Sequence, residues 1–123
     1  MKIIYTQDAP SPIGPYSQGV LSGGVLYLSG QIPINPKTGD IVSGGIEAQT
    51  EAVIMNIGAV LRAAGLNFSN VVKTTCFLSS MDHFSTFNSI YEKYFISKPA
   101  RSCVEAARLP QNVLVEIEVI AQA

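Results

Sequence analysis

The segment VLVEIEVIA, residues 113–121, constrains the fold of this chain more than any other stretch. Side chains of a β-strand point alternately to its two faces, so the segment divides into two sets. One face is entirely apolar and carries Val113, Val115, Ile117, Val119 and Ala121. The other face carries Leu114, Glu116, Glu118 and Ile120. The segment therefore predicts a strand with one face in the core and two carboxylates among apolar residues on the other.

Five more segments have the composition of strands. Residues 16–21 and 25–34 are extended runs separated by Ser22, Gly23 and Gly24, which predicts a β-hairpin. The remaining predicted strands, rich in β-branched and apolar residues, are 3–6, 71–78 and 101–106.

Two segments have the spacing of amphipathic helices. Residues 46–64 form the first, with a single apolar face made by Ile46, Thr50, Val53, Ile57, Leu61 and Ala64. Gly65 follows where a left-handed helix cap belongs. Residues 82–95 form the second, with an aromatic stripe of Phe84, Phe87, Tyr91 and Tyr94 that predicts core packing.

The predicted sheet has more apolar surface than two helices can cover. Several strands are apolar on both sides, with Leu26 and Leu28 opposed to Val25 and Tyr27 along one strand. Two helices cover one face of a sheet, and the other face still needs burial. Only 14% of the residues are charged, against about 25% in typical soluble domains. A second copy of the chain is the simplest cover for the exposed face.

Charge and composition exclude several classes of function. The net charge is -1, from 8 basic and 9 acidic residues without a run of either sign, which argues against nucleic-acid and anionic-membrane partners. No stretch approaches the roughly 20 apolar residues of a membrane span, and the N-terminus MKIIYTQDAP is no signal peptide. We therefore expect a cytoplasmic protein with Cys76 and Cys103 as reduced thiols. One histidine and the absence of a CxxC pair predict no metal site.

The segment KPARSCVEAARLP, residues 98–110, carries the first candidate chemistry. If it is a strand, Arg101, Cys103 and Glu105 share one face. The guanidinium either pairs with a glutamate of the chain (Glu105, Glu116 or Glu118) or binds a small carboxylate ligand. Cys103 is either a small buried thiol or a nucleophile, and no pattern places the one histidine, His83, beside it.

The last strand carries the second candidate. Glu116 and Glu118 are flanked by apolar residues, and burial of a carboxylate raises its pKa toward neutrality. Such a group suits general acid or base catalysis. The alternative is that this face is exposed and the glutamates are simply solvated.

Six segments together resemble the Rid family, also called the YjgF family, and most closely its RidA subgroup of reactive-intermediate deaminases. They are IGPYSQG, SGQIPINPKTG, VVKTTCFL, FNSIYEKYF, PARSCVEAARLP and VEIEVIA, and the resemblance runs from about Ala9 to Ala121. It implies one domain over residues 1–123 with a chorismate-mutase-like α+β fold, in which two helices pack on one face of a mixed sheet. It also implies a homotrimer whose sheets face inward, with ligand sites in clefts between subunits.

The activity implied by the resemblance is hydrolysis of 2-imino acids, such as 2-iminopropanoate and 2-iminobutanoate, to 2-oxo acids and ammonia, without a cofactor. The family arginine that binds the substrate carboxylate matches Arg101, and the acidic residue that positions or activates water matches Glu116. Cys103 matches a pocket cysteine that lines the site without having to form a thiolate. The other pocket-lining positions match Tyr16, Ser29, Gly30 and Asn88.

Two departures from the family pattern are mild. Cys76 stands where many members have valine, and Ala106 follows Glu105 where valine is common. Two alternatives to the deaminase remain open. One is a trimer that binds a small carboxylate or a protein partner without chemistry, as a regulator or chaperone-like protein. The other is an endoribonuclease, an activity attached to some relatives, which the net charge of -1 disfavours.

Overall fold

The computed structural model describes residues 1–123 and contains six strands and two helices. The strands are β1 (Lys2–Ile4), β2 (Gly19–Ser22), β3 (Val25–Gln31), β4 (Val71–Leu78), β5 (Ala100–Glu105) and β6 (Val115–Gln122). The helices are α1 (Gly45–Ala63) and α2 (Phe84–Tyr94). The number, type and order of these elements agree with the sequence prediction, so the α+β class is confirmed.

All six strands form one mixed sheet in the order β1-β2-β3-β6-β4-β5. The β4–β5 pair is parallel, and every other pair is antiparallel. A parallel pair needs a crossover connection, which α2 supplies between β4 and β5. This crossover places β5, with the Arg101 segment, at the edge of the sheet.

The core lies between the sheet and the two helices. Val115, Ile117 and Val119 of β6 are buried in the same cluster as Val53 and Ile57 of α1. This confirms the apolar face predicted for residues 113–121 and that predicted for the first helix. Burying a side chain of this size contributes about 1.5–3 kcal/mol, so this cluster of 21 buried residues contributes more hydrophobic stabilisation than the second cluster of 4.

Glycine conformations confirm two predicted turns. Gly23 and Gly24 have φ of 59° and 77°, which a two-residue type I′ hairpin turn between β2 and β3 requires. Gly65 has φ of 76°, and Leu66 beyond it donates its N–H to the carbonyl of Leu61 at 2.9 Å. That bond closes the C-terminus of α1 in the manner predicted for a left-handed cap.

Two strands begin later than the sequence predicts. β2 starts at Gly19 rather than residue 16, because the side chain of buried Gln18 binds the backbone of the preceding loop, accepting from the Thr6 N–H at 2.7 Å. β6 starts at Val115 rather than 113, because Gln111 and Asn112 have φ of 54° and 55° and form a tight turn. Neither cause is visible in the apolar pattern.

A β-bulge changes which residues of β4 face the core. Strict alternation puts Val72 and Leu78 on one face and Val71 on the other. In the structure Val71 and Leu78 are both buried and Val72 is exposed, so strict alternation does not hold along β4. The register with β6 shifts between Val71 and Lys73, where an extra residue in β4 reverses the alternation.

The second face of the sheet is open to solvent. Cross-strand neighbours on this face include Tyr27 with Ile120 and Phe77 with Glu116. Tyr27 is 49% exposed and Val104 is 47% exposed. The partly apolar, helix-free face predicted from the sequence is therefore present.

Neither helix is long and apolar enough to span a lipid bilayer.

Candidate active site

The first group of predicted site residues lies where β5 meets α2. In the parallel β4–β5 pair, Arg101 lies opposite Thr74 and Cys103 opposite Cys76. Thr74 and Cys76 are fully buried beneath the helices. Cross-strand partners share a face of the sheet, so Arg101 and Cys103 both face the helix layer, as their spacing predicts.

The guanidinium of Arg101 is held by neutral groups. It donates to Oδ1 of Asn88 at 2.8 Å, which unites two of the predicted site residues. Its Cζ lies 4.8 Å from the ring centroid of Tyr91 and 5.6 Å from that of Phe84. Amide and ring faces orient the guanidinium without neutralising its charge, and no carboxylate is among these contacts. Its remaining N–H groups can therefore serve an external anion.

Pairing of Arg101 with Glu105, one alternative from the sequence, is wrong. Oε1 of Glu105 instead accepts the backbone N–H of Met81 at 2.8 Å, at the start of the short 3-10 turn before α2. Glu105 thus satisfies a helix-terminal donor and anchors this turn to the edge strand.

Cys103 packs against the core beside Arg101. Burial raises the pKa of its thiol, and the opposing effect of the Arg101 charge is smaller. The side chain is therefore a neutral thiol at neutral pH, which argues against a nucleophilic role. This agrees with the expectation that Cys103 lines the site without forming a thiolate.

The second group of site residues surrounds Glu116 on the opposite side of the molecule. A bulge in β3 places the four residues from Leu28 to Gln31 against the three residues from Ile117 to Val119 of β6. Bulges of this kind turn backbone and side chains toward a site. A Cβ built on Gly30 would lie only 2.0 Å from Oε2 of Glu116, so any side chain there would collide with the carboxylate. A residue with a side chain at position 30 would therefore displace the Glu116 carboxylate from its observed position.

A cavity of about 420 Å³ contains this second group. Its lining includes Tyr16, Ser29, Gly30 and Glu116. The Ser29 hydroxyl donates to the carbonyl of Ser17 at 2.6 Å, which links the bulge to the segment that carries Tyr16. The sequence-predicted residues Tyr16, Ser29, Gly30 and Glu116 are thus brought together.

Glu116 has the electrostatic environment expected of an acid–base group. Burial raises its pKa, and the neighbouring charge of Glu118 adds to the rise. Of the two sequence alternatives for Glu116, the half-buried carboxylate with a raised pKa is the one found. Glu118 is the more exposed of the two.

The two groups do not meet within one chain. Glu116 on β6, Phe77 on β4 and Val104 on β5 are cross-strand neighbours, so their side chains share one face of the sheet. Arg101 and Cys103 lie an odd number of residues from Val104 along β5, so their side chains lie on the other face. Arg101 therefore faces the helices and Glu116 faces the open side of the sheet. A site that uses both side chains needs groups from two copies of the chain.

Sequence reasoning missed two features of the site. Tyr91 and Phe84 belong to the aromatic stripe interpreted as core, yet both rings also support the guanidinium. Tyr91 is in addition hydrogen-bonded through its hydroxyl to Thr74 Oγ1 at 2.7 Å. Tyr91 lies one helical turn after Asn88, and this spacing could have indicated that Tyr91 belongs to the site. Gln18, which anchors the loop next to Tyr16, gave no such signal.

Comparisons with known proteins agree with this architecture. Residues 6–123 match the family described as Endoribonuclease L-PSP. The chain is 58% identical to a Lactococcus lactis protein named as a regulator, AldR, with 99% of this chain and 98% of that protein covered. It is 48% identical to the 2-iminobutanoate/2-iminopropanoate deaminase of Escherichia coli, over 98% of this chain and 96% of the enzyme.

A solved structure extends the similarity to three dimensions. The structure of Escherichia coli TdcF with bound serine superposes with a TM-score of 0.95 at 42% identity, covering 100% of this chain and 99% of that one. Matches of this extent span every strand and both helices. The chain belongs to the L-PSP endoribonuclease family, which is the Rid (YjgF) family that its motifs resemble.

Proposed function

We propose that this protein hydrolyses 2-imino acids, such as 2-iminopropanoate and 2-iminobutanoate, to 2-oxo acids and ammonia in the cytoplasm. The observation that carries the proposal is the Arg101 guanidinium, which is oriented by Asn88 and two aromatic rings and has no carboxylate among its contacts. A cation held in this way suits the carboxylate of a small organic acid. The deaminase of Escherichia coli, at 48% identity, supports an imino acid as the substrate.

The proposed active enzyme is a homotrimer with composite sites. Arg101, Asn88 and Cys103 of one copy would bind the substrate carboxylate, and Glu116, Tyr16, Ser29 and Gly30 of the next copy would close the cleft. The opposite orientation of Arg101 and Glu116 within one chain supports this arrangement. So does the open sheet face, where large apolar side chains such as Tyr27 and Val104 are about half exposed.

The proposed chemistry needs orientation and two proton transfers. Water adds to C2 of the imine, a C–O bond forms, and the C=N electron pair moves to nitrogen. Glu116 as a carboxylate accepts the proton of the attacking water and delivers a proton to nitrogen. In the resulting carbinolamine the hydroxyl gives its proton, through Glu116, to the amino nitrogen. The C–N bond then breaks, and ammonia leaves as the carbonyl forms. Arg101 fixes the carboxylate so that C2 faces the water.

We expect the protein to accelerate imine hydrolysis and to be a trimer. An amino-acid oxidase can generate 2-iminopropanoate from alanine, with semicarbazide present to trap free imine. Active protein should reduce formation of the trapped adduct in proportion to its concentration. Sedimentation analysis should show a particle of three times the chain mass. A stable monomer, or an adduct yield independent of added protein, would contradict the proposal.

The rate should depend on pH through Glu116. Because burial raises its pKa, the carboxylate required for water activation is lost at a higher pH than for an ordinary glutamate. We expect kcat/KM to fall with decreasing pH through that raised pKa, and this limb to be absent in Glu116→Gln. Protonation of Glu116 does not destabilise the fold, so unfolding through this group cannot cause the loss of activity at low pH. The folded state binds its proton more tightly than the unfolded state, so between the two pKa values its contribution to stability increases as pH falls.

Binding of a small carboxylate without chemistry is the second candidate. The relative TdcF has been crystallised with bound serine, an amino acid with a free carboxylate. The same Arg101 environment would suit such a ligand, and the test of Glu116 in the Discussion separates the two functions.

A further inference from the structure

The only two cysteines of the chain are direct neighbours in the sheet. Cys76 on β4 and Cys103 on β5 are cross-strand partners in the parallel pair. Both side chains point to the helix side, since Cys76 is fully buried in the core and Cys103 packs against that core. Neither takes part in a disulfide. Nothing in the proposed deaminase chemistry uses Cys76.

The pairing brings the two thiols within reach of a disulfide. Adjacent strands lie about 4.8 Å apart, and disulfides join residues whose Cα atoms are about 4.4–6.8 Å apart. Cross-strand partners project in the same direction, so the two Cβ atoms need no reversal of either strand. β5 is an edge strand with no partner on its outer side, so a small shift of β5 disrupts no second ladder.

We propose that Cys76 and Cys103 form a peroxide-reactive dithiol site, in which the partly exposed Cys103 is oxidised and the buried Cys76 closes an intramolecular disulfide. The ionised fraction of Cys103, which is small at neutral pH and grows at alkaline pH, attacks hydrogen peroxide and breaks the O–O bond. A sulfenic acid results, and the released hydroxide combines with the proton lost by the thiol to form water. The sulfur of Cys76 then attacks the sulfenic sulfur, the S–O bond breaks, and a second water leaves. Two thiols lose two electrons in total, and one peroxide is reduced to two waters.

The environment of the thiols determines the order of these steps. Cys76 has no exposed surface, and burial raises the pKa of its thiol to about 12. Burial also raises the pKa of the partly exposed Cys103 thiol, and the charge of Arg101 opposes this effect. Cys103 is therefore the thiol that meets the oxidant, and Cys76 reacts only with a sulfur already beside it. The second step depends on proximity, so it is slow but intramolecular.

Closure of the disulfide would also change the proposed site, and this part of the inference rests on the proposed function. Cys103 shares its face with Arg101 two residues away, so turning its sulfur toward Cys76 removes one wall of the pocket and shifts the edge strand. Displacing a binding group by about 1 Å can cost roughly 10²-fold in rate. We expect oxidised protein to lose between about tenfold and 10²-fold in kcat/KM, and dithiothreitol to restore it.

The test compares the wild-type trimer with the Cys76→Val variant, in which an apolar side chain of similar size fills the buried position. Reduced protein is treated with hydrogen peroxide at about pH 8.5, where thiols ionise appreciably. Free thiols are then alkylated, and the protein is digested without reduction. The wild type should yield a linked peptide pair containing Cys76 and Cys103 from the monomer band. The variant should yield oxidised or alkylated Cys103 without a linked peptide. Before treatment, its activity should equal that of the wild type.

Two results would overturn the proposal. One is a disulfide only between Cys103 residues of different chains. The other is the absence of any linked pair after prolonged treatment, while Cys103 proceeds to sulfinic acid in wild type and variant alike. If the linked pair forms but the reduced protein hydrolyses no imine, the dithiol site stands and the proposed function fails.

Discussion

Replacing Arg101 by alanine should nearly abolish imine hydrolysis. In the proposed site the guanidinium supplies a bidentate pair of charge-assisted hydrogen bonds to the substrate carboxylate. Such a pair contributes about 3–5 kcal/mol, which corresponds to a loss of about 10²–10⁴-fold in kcat/KM. Arg101→Lys keeps the charge but not the planar fork, so it should lose less activity than Arg101→Ala. Steady-state kinetics with 2-iminopropanoate measure both losses.

The control for Arg101 is Arg108→Ala, which removes an exposed arginine outside both groups of site residues. Its kinetics should equal those of the wild type. Sedimentation and thermal unfolding should show that Arg101→Ala remains a folded trimer, because the open sheet face lies opposite the arginine. Unchanged turnover in a folded Arg101→Ala trimer would refute the assignment of the carboxylate site.

Replacing Glu116 by glutamine should lower kcat and leave ligand binding nearly intact. Glutamine keeps the shape and the close fit against Gly30 but accepts no proton. Loss of a positioned general base costs about 10²–10⁴-fold in rate. Binding of a 2-oxo acid, measured by calorimetry, should change little because Arg101 is untouched. The variant should be at least as stable as the wild type at neutral pH, since a half-buried charge that burial disfavours has been removed.

This experiment separates catalysis from binding alone. Glu47→Gln serves as the control because it removes an exposed carboxylate in the first turn of α1. A deaminase loses turnover only with Glu116→Gln. A pure carboxylate-binding protein shows no turnover in the wild type, the control or the variant, while all three bind ligand. Retention of full kcat by Glu116→Gln would show that another group activates the water.

Short-range pattern predicted much of the fold. The spacing of apolar residues predicted α1 to within a residue at each end, and Gly65 marked its cap. The pair Gly23 and Gly24 predicted the hairpin turn. These features depend on the conformation of a few consecutive residues, and propensity acts at that range.

The errors in strand boundaries have longer-range causes. β2 begins late because the Gln18 side chain binds a backbone group 12 residues away in sequence. The bulge near Val72 reverses the alternation of β4 because the register with β6 shifts there. Both depend on which segments become neighbours, and a strand's own residues do not specify this.

Sequence alone grouped the candidate residues of the proposed site: a strand face that presents Glu116, and an arginine and a thiol two residues apart. Alternation within a strand groups such residues without reference to any partner. Only the assembled sheet decides which of its faces each group occupies. The parallel pairing of β5 with β4 turns Arg101 toward the helices, and the antiparallel pairing of β6 turns Glu116 away from them. A shift of one residue in either register would exchange these faces, which is why long-range pairing determines that the two halves of the proposed site lie on opposite faces of one sheet.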